Sequence, residues 1–163
     1  MPERFNSRED FLRYKLAAAR RMEQIVLAIL EVGTGGAQDA GVKQLLRDHQ
    51  AQTRRHMANL ETVFGLMGWD VEERPCPAME VYEKELEREL AASEDAVVDS
   101  VVIASAAVVE HYELAVYGTL IACAKSVDRD DVAELFARIR DDEQAALDRI
   151  REEAARVLGA QIP

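Results

Sequence analysis

Glu110 and Glu113 stand three residues apart in a stretch that is otherwise almost wholly apolar, from Val101 through Ile103, Ala106, Val108, Val109, Leu114, Val116 and Leu120 to Cys123. On an α-helix, residues i and i+3 project from one face about a turn apart. No register of this segment sends both carboxylates to a face lined by other charges, so they are expected to be buried together. Two like charges buried without compensation are prohibitively costly, and such a site must contain protons, basic partners or a multivalent cation. The nearest basic residues along the helix, His111 and Lys125, offer no evident cationic partner. Metal ligation is therefore the sharper reading, and a salt-bridged or capped carboxylate pair the blander one.

Other residues of ligating type recur in similar settings. His56 lies on the apolar side of its segment, with Gln52 one turn earlier where a carboxylate would suit a metal, and His49 two turns earlier as a weaker candidate. Glu143 falls on an apolar stripe, although Arg140, Asp141 and Asp142 beside it would also fit a solvated helix end. Glu23 stands at the edge of the first apolar stripe, whose centre is Met22, and three residues after Glu143 comes Ala146, which cannot ligate. Carboxylate oxygens with a few imidazoles suit iron or manganese, and bridging carboxylates can hold two such ions close enough to share a substrate oxygen. Tyr14, Tyr112 and Tyr117 are candidates to pack near such a site as hydrogen-bonding or radical-quenching groups, although most buried tyrosines are simply core.

The elements that must position these groups are helical. The four prolines lie outside the periodic segments, and no strand-like alternation bounded by turns occurs. The first helix is expected from about Arg8 to Val32, opened by Ser7 and Asp10 as a capping box and closed by the stretch Gly33 to Gly36. A second runs from about Gly41 to Met67 and stops at Gly68. A connection from Gly68 to Pro77 leads to a short amphipathic helix, about Ala78 to Ala92. The long apolar helix follows from Asp95, as N-cap, to Lys125, and the last spans Asp130 to Leu158 before Gly159. Residues 1–163 are thus expected to form a single all-α domain. Its plan is a ferritin-like antiparallel four-helix bundle, in which a long crossover containing a short extra helix separates the second and third long helices.

Composition narrows the function classes. The chain of 163 residues is 48% hydrophobic and 31% charged, an ordinary globular balance, and its 31 acidic against 20 basic residues give a formal net charge of −11. Such a field favours cations and argues against nucleic acid or an anionic membrane as partners. No apolar leader begins the chain, and the apolar runs are broken by acids short of a membrane span, so a cytoplasmic protein is expected. Cys76, in a Pro-Cys-Pro loop, and Cys123 are expected to be reduced thiols and not a zinc site.

In order along nearly the whole chain, several blocks resemble the bacterial YciE/YciF family. They are His49-Gln-Ala-Gln52-Thr53-Arg-Arg-His56, Leu60-Glu61 with Val63-Phe64, Cys76-Pro-Ala78-Met79, Glu110-His111-Tyr112-Glu113 with its trailing Tyr117-Gly118-Thr119-Leu120, and Asp142-Glu143. The resemblance implies a fold similar to rubrerythrin and ferritin, a homodimer, a link to bacterial stress responses, and a di-metal centre that includes His56, Glu110, Glu113 and Glu143. Aligning Gln24 with that family's first-helix element places Met22 at the ligand position, and Val81 replaces the glycine usual after Ala-Met. Two functions follow as expectations. One is redox handling of iron or manganese with peroxide or dioxygen, without an organic cofactor. The other is a non-catalytic dimeric stress protein with a degenerate or single-metal site. Iron storage in a many-subunit cage is weaker, since nothing in the sequence specifies the shell.

Overall fold

The computed structural model describes residues 4–160 and 162. Five helices follow in order, α1 Arg8–Gly36, α2 Ala40–Met67, α3 Pro77–Ala91, α4 Val98–Lys125 and α5 Asp130–Leu158, and no strand occurs among the described residues. The chain is all-α, a four-helix bundle with α3 in the crossover, as the sequence implies. The neighbours α1–α2 and α4–α5 form antiparallel hairpins, which dock through α1 on α4 and α2 on α5. Cross-links at both ends fix the directions: Arg8 at the start of α1 reaches the carbonyl of Ser126 just past α4, and Asp39 before α2 meets Arg156 near the end of α5. Helices α2 and α4 are therefore parallel. The segment between them must travel the full length of the bundle, about 40 Å for helices of 28 residues, and α3 covers part of that distance while packing on α1 and α4.

Local chemistry sets most of the boundaries. Ser7 Oγ accepts from the Asp10 backbone N–H, while the Asp10 carboxylate accepts from the N–H of Asn6, so the capping box is displaced by one residue. Asp39 caps α2 through Gly41 and Val42 N–H, and the helix ends at Gly68 with φ of 70°, the left-handed conformation glycine adopts most easily. Two expected boundaries are corrected. Helix α1 does not stop at Gly33 but continues to Gly36, because tertiary contact overrides glycine's low propensity. Gly33 is buried where a Cβ would lie 3.4 Å from Leu46 and Val102, and Thr34 Oγ1 donates to the Leu30 carbonyl. Asp95 does not cap α4; a turn precedes the helix, which begins at Val98. Asp99 in its first turn instead accepts from the N–H groups of Gln38 and Asp39, tying the two hairpins together.

The core runs along the bundle through Leu12, Leu16, Val26, Leu60, Phe64, Ile103, Leu120, Phe136, Leu147 and Ile150, all buried. Each such side chain contributes ~1.5–3 kcal/mol on burial. Helix α4 is apolar nearly all round because it packs against α1, α3 and α5. By length and composition it would also suffice to cross a membrane, with a mean hydropathy of 1.2, but half of that stretch is buried inside the bundle. Its helical neighbours account for the buried half, and Val108 stands exposed on the other. Cys76 and Cys123 are free thiols, as expected.

Candidate metal centre

Midway along the bundle the core changes character. Glu23 from α1, His49 and His56 from α2, Glu110 and Glu113 from α4 and Glu143 from α5 turn into its axis, and none is more than 3% exposed. They form two groups that share Glu143: His49, Glu110, Glu113 and Glu143 in one, and Glu23, His56 and Glu143 in the other. Within each group one ligand atom per residue lies within 4.8 Å of all the others. His49 Nε2 is 3.0 Å from Glu110 Oε1 and 3.9 Å from Glu143 Oε2, and His56 Nδ1 is 2.7 Å from Glu143 Oε1 and 3.9 Å from Glu23 Oε1.

The hydrogen bonding of this centre is incomplete. Both oxygens of Glu113 and of Glu143, one oxygen each of Glu23 and Glu110, both nitrogens of His49 and Nδ1 of His56 are buried without a hydrogen bond. Buried polar atoms are nearly always satisfied, and each orphan costs ~1–3 kcal/mol. The electrostatics follow from the same crowding. Burial first, and Glu143 second, push Glu110 and Glu113 well above the usual carboxylate range, and Glu23 to about 8. Burial lowers the basicity of His49. At His56 burial acts the same way, but the carboxylates of Glu143, Glu23 and Asp142 outweigh it and the net effect is upward. The set resists carrying its own negative charge, and convergent cations would relieve it.

Two hydrogen bonds anchor it from outside. The buried Tyr117 hydroxyl donates to Glu23, and burial together with this carboxylate holds the phenol well above its ordinary pKa. His56 Nε2 lies 3.3 Å from Asp142 Oδ2, whose side chain is 55% exposed. With Nδ1 turned to the centre, this is the outer carboxylate that commonly fixes a ligating imidazole.

Five of the six residues singled out in the sequence, Glu23, His56, Glu110, Glu113 and Glu143, come together here. Gln52 is buried beside His49, whose basicity it raises, and its Oε1 accepts from the guanidinium of Arg149 at 3.2 Å across the α2–α5 seam. His49, rated the weaker histidine, lies in the four-residue group. Its distance from His56, seven residues or about 10.5 Å of helix rise, signals one imidazole for each group. Met22 is fully buried beside Ala19, Cys76 and Tyr112, with Glu23 facing the centre in its place. Helix α1 packs on α2, α3 and α4 together, so its apolar stripe is shared among several neighbours, and Met22 packs toward Cys76 and Tyr112. Of the tyrosines only Tyr117 touches the site. Tyr112 lies against Cys76 at 3.6 Å, and Tyr14 stacks edge-on with Phe5 at 5.1 Å between ring centroids.

A family described as a domain of unknown function, DUF892, matches residues 7–162. The chain belongs to the DUF892 family. Among solved structures, this family member is similar to YcfI from Rhodopseudomonas palustris, with a TM-score of 0.88, 28% identity, and coverage of 92% of this chain and 96% of that one. It is also similar to the E. coli stress protein YciF, with a TM-score of 0.90, 22% identity, and coverage of 96% and 100%. A protein from Xanthomonas campestris pv. campestris follows with a TM-score of 0.70, 18% identity, and coverage of 93% and 94%. These likenesses establish the helical fold of a YciF-like protein. No curated protein matches the chain.

Proposed function

We propose that the chain is a ferritin-like carboxylate protein that binds two divalent ions of iron or manganese between its four long helices and handles them with peroxide or dioxygen in a stress response. The observation that carries this reading is the pair of buried ligand groups sharing Glu143, most of whose donor atoms face one another without forming a well-aligned hydrogen bond. Charge supports the count. Four carboxylates, Glu23, Glu110, Glu113 and Glu143, carry four negative charges when ionised, which two divalent ions would neutralise and one would not. Hard oxygen donors with one imidazole per group, and no thiolate among them, suit iron or manganese.

The bound ions would supply Lewis acidity and, for iron or manganese, a change of oxidation state. The chain's own residues set the conditions. His56 is oriented by Asp142, Glu23 by Tyr117, and Glu143 lies between the groups where it could bridge two ions. The apolar residues around α4 keep the centre dry, which strengthens every charge interaction within it. A homodimer is proposed with this reading, on the family resemblance.

A second reading, a non-catalytic stress protein with a degenerate site, draws on Ala146, which places a methyl group where the last helix could have offered a second ligand. Metal analysis decides between them. Protein purified without chelator and reconstituted anaerobically with Fe²⁺ or Mn²⁺ is expected to carry two ions per chain at saturation and to react with added peroxide or dioxygen. A chain that stays free of both metals refutes the proposal, and one that binds a single ion without reacting supports the second reading.

A further inference from the structure

We infer that the outward face of α4 is a self-association surface: a second copy of this chain packs its own α4 against it, antiparallel, about a two-fold axis at His111. This assigns a face and a register to the homodimer proposed above, and it rests on that part of the reading alone.

The side of a surface helix that faces water is normally polar. Helix α5 obeys this rule, with Glu134, Arg138, Asp141, Asp148 and Glu152 among its exposed positions. On α4 the only exposed residues that can carry charge are His111 and Lys125, although the chain as a whole holds 31 acids and 20 bases. The bundle does not account for this, because Val108 in the middle of the face is 51% exposed. The outward positions recur at alternating steps of four and three residues, Val97, Val101, Ala104 and Val108 before His111 and Ala115, Gly118 and Ala122 after it. That is the spacing of a coiled-coil seam, and this one has no partner within the chain.

Three features identify the occupant as a reversed second copy. The first is bulk. With His111 on the axis, Val101 faces Ala122, Ala104 faces Gly118 and Val108 faces Ala115, so each larger side chain meets a smaller one; parallel pairing would set valine on valine and glycine on glycine. A Cβ at Gly118 would meet nothing within 4 Å, which leaves that half of the face open to close approach. The second is the shape of the ends. At the start of α4 an apolar groove is lined by Ala92, Val97, Val101 and Leu158, and at its end the exposed Phe11 stands beside Cys123. Reversing one copy brings Phe11 to the groove of the other at both ends. The third is charge. Exposed Glu94 and Asp95 precede the face and exposed Lys125 ends it, so antiparallel pairing joins base to acid where parallel pairing would oppose like charges.

The test is sedimentation velocity of the full chain at micromolar concentration, joined to cysteine cross-linking. The wild type should sediment as a dimer. Ala115→Glu, which sets a carboxylate against Val108 of the second copy, should weaken association ~100-fold or more, while Ala145→Glu on the exposed face of α5 should leave the dimer intact. Far-ultraviolet circular dichroism confirms that both variants fold. Under mild oxidation His111→Cys should form a disulfide-linked dimer across the axis, whereas the native Cys123, about 36 Å from its mate in this register, should not. A dimer that survives Ala115→Glu, or a Cys123 that links as readily as His111→Cys does, would overturn the α4 face or its register while leaving the homodimer standing. A wild-type chain that sediments as a monomer overturns both, and none of these results touches the metal reading.

Discussion

Without metal, this protein should become less stable as the pH rises from about 4.5 to about 8, and Glu23→Gln should remove the share of that loss due to Glu23. Glu23 is fully buried, and its carboxyl group is raised from an ordinary 4.5 to about 8, chiefly by burial and then by Glu143. Below pH 4.5 the group is protonated whether or not the chain is folded and has no effect on the balance. Above it, the unfolded chain ionises freely while the folded chain keeps its proton, so each pH unit favours unfolding by about 1.4 kcal/mol until the folded group also ionises. Across the interval this comes to on the order of 5 kcal/mol, a large share of the ~5–15 kcal/mol that holds a domain together. Glu110 and Glu113 are pushed the same way and deepen the trend. Exposed acids held low, such as Asp131 at about 2, act at lower pH and do not offset it. Urea unfolding of the wild-type chain and Glu23→Gln at pH 5, 6, 7 and 8 in the presence of a chelator measures the effect directly. The variant should gain on the wild type by about 1.4 kcal/mol per pH unit. A difference that stays flat, or a metal-free wild type that grows more stable over this range, refutes the electrostatic account. Saturating Mn²⁺ should reverse the wild-type slope, since ligation releases the protons that the empty carboxylates hold.

Other perturbations separate the roles assigned above. Asp142→Asn should weaken Mn²⁺ binding ~10–100-fold in titration, because the outer partner of His56 loses its charge, and should leave the melting temperature of the metal-free chain almost unchanged. Met22→Ala should cost ~2–5 kcal/mol in urea unfolding by opening a cavity, with no change in ions bound per chain; a lost ion would return Met22 to the site. Tyr117→Phe should cost ~1–3 kcal/mol by stripping Glu23 of its buried donor, measured in the same unfolding assay.

Much of this molecule was legible from residue types and spacing. Glu110 and Glu113 announced themselves because a single helix sets their relation, and their apolar surroundings ruled out solvent. Helices α2 and α5 fell close to their expected limits because Gly68 and Gly159 end them in the left-handed conformation that glycine tolerates. Features set by partners distant in sequence were less visible. The glycines at the end of α1 read as a stop, yet Gly33 is helical because Leu46 and Val102 approach it. Gln52 stands beside His49, as its position in α2 implies, but its tie to Arg149, 97 residues later, could not be read from the sequence. His49 was undervalued because a lone inward histidine is usually core. Its meaning appears only when Glu110 and Glu143 are seen around it.

The centre also bears on how the chain comes together. Neither hairpin owns it: α1 and α2 bring one acid and both imidazoles, α4 and α5 the other three acids. Each half alone presents its ligands to water, where they are hydrated and harmless. Pairing of α4 with α5 already sets three acids side by side, and docking of α1 and α2 adds Glu23 and takes all four out of water, so the act that completes the hydrophobic core also raises the electrostatic opposition to it. A divalent ion caught between the halves would turn that opposition into a clasp, and metal supply would then govern the assembly of the bundle as well as its chemistry.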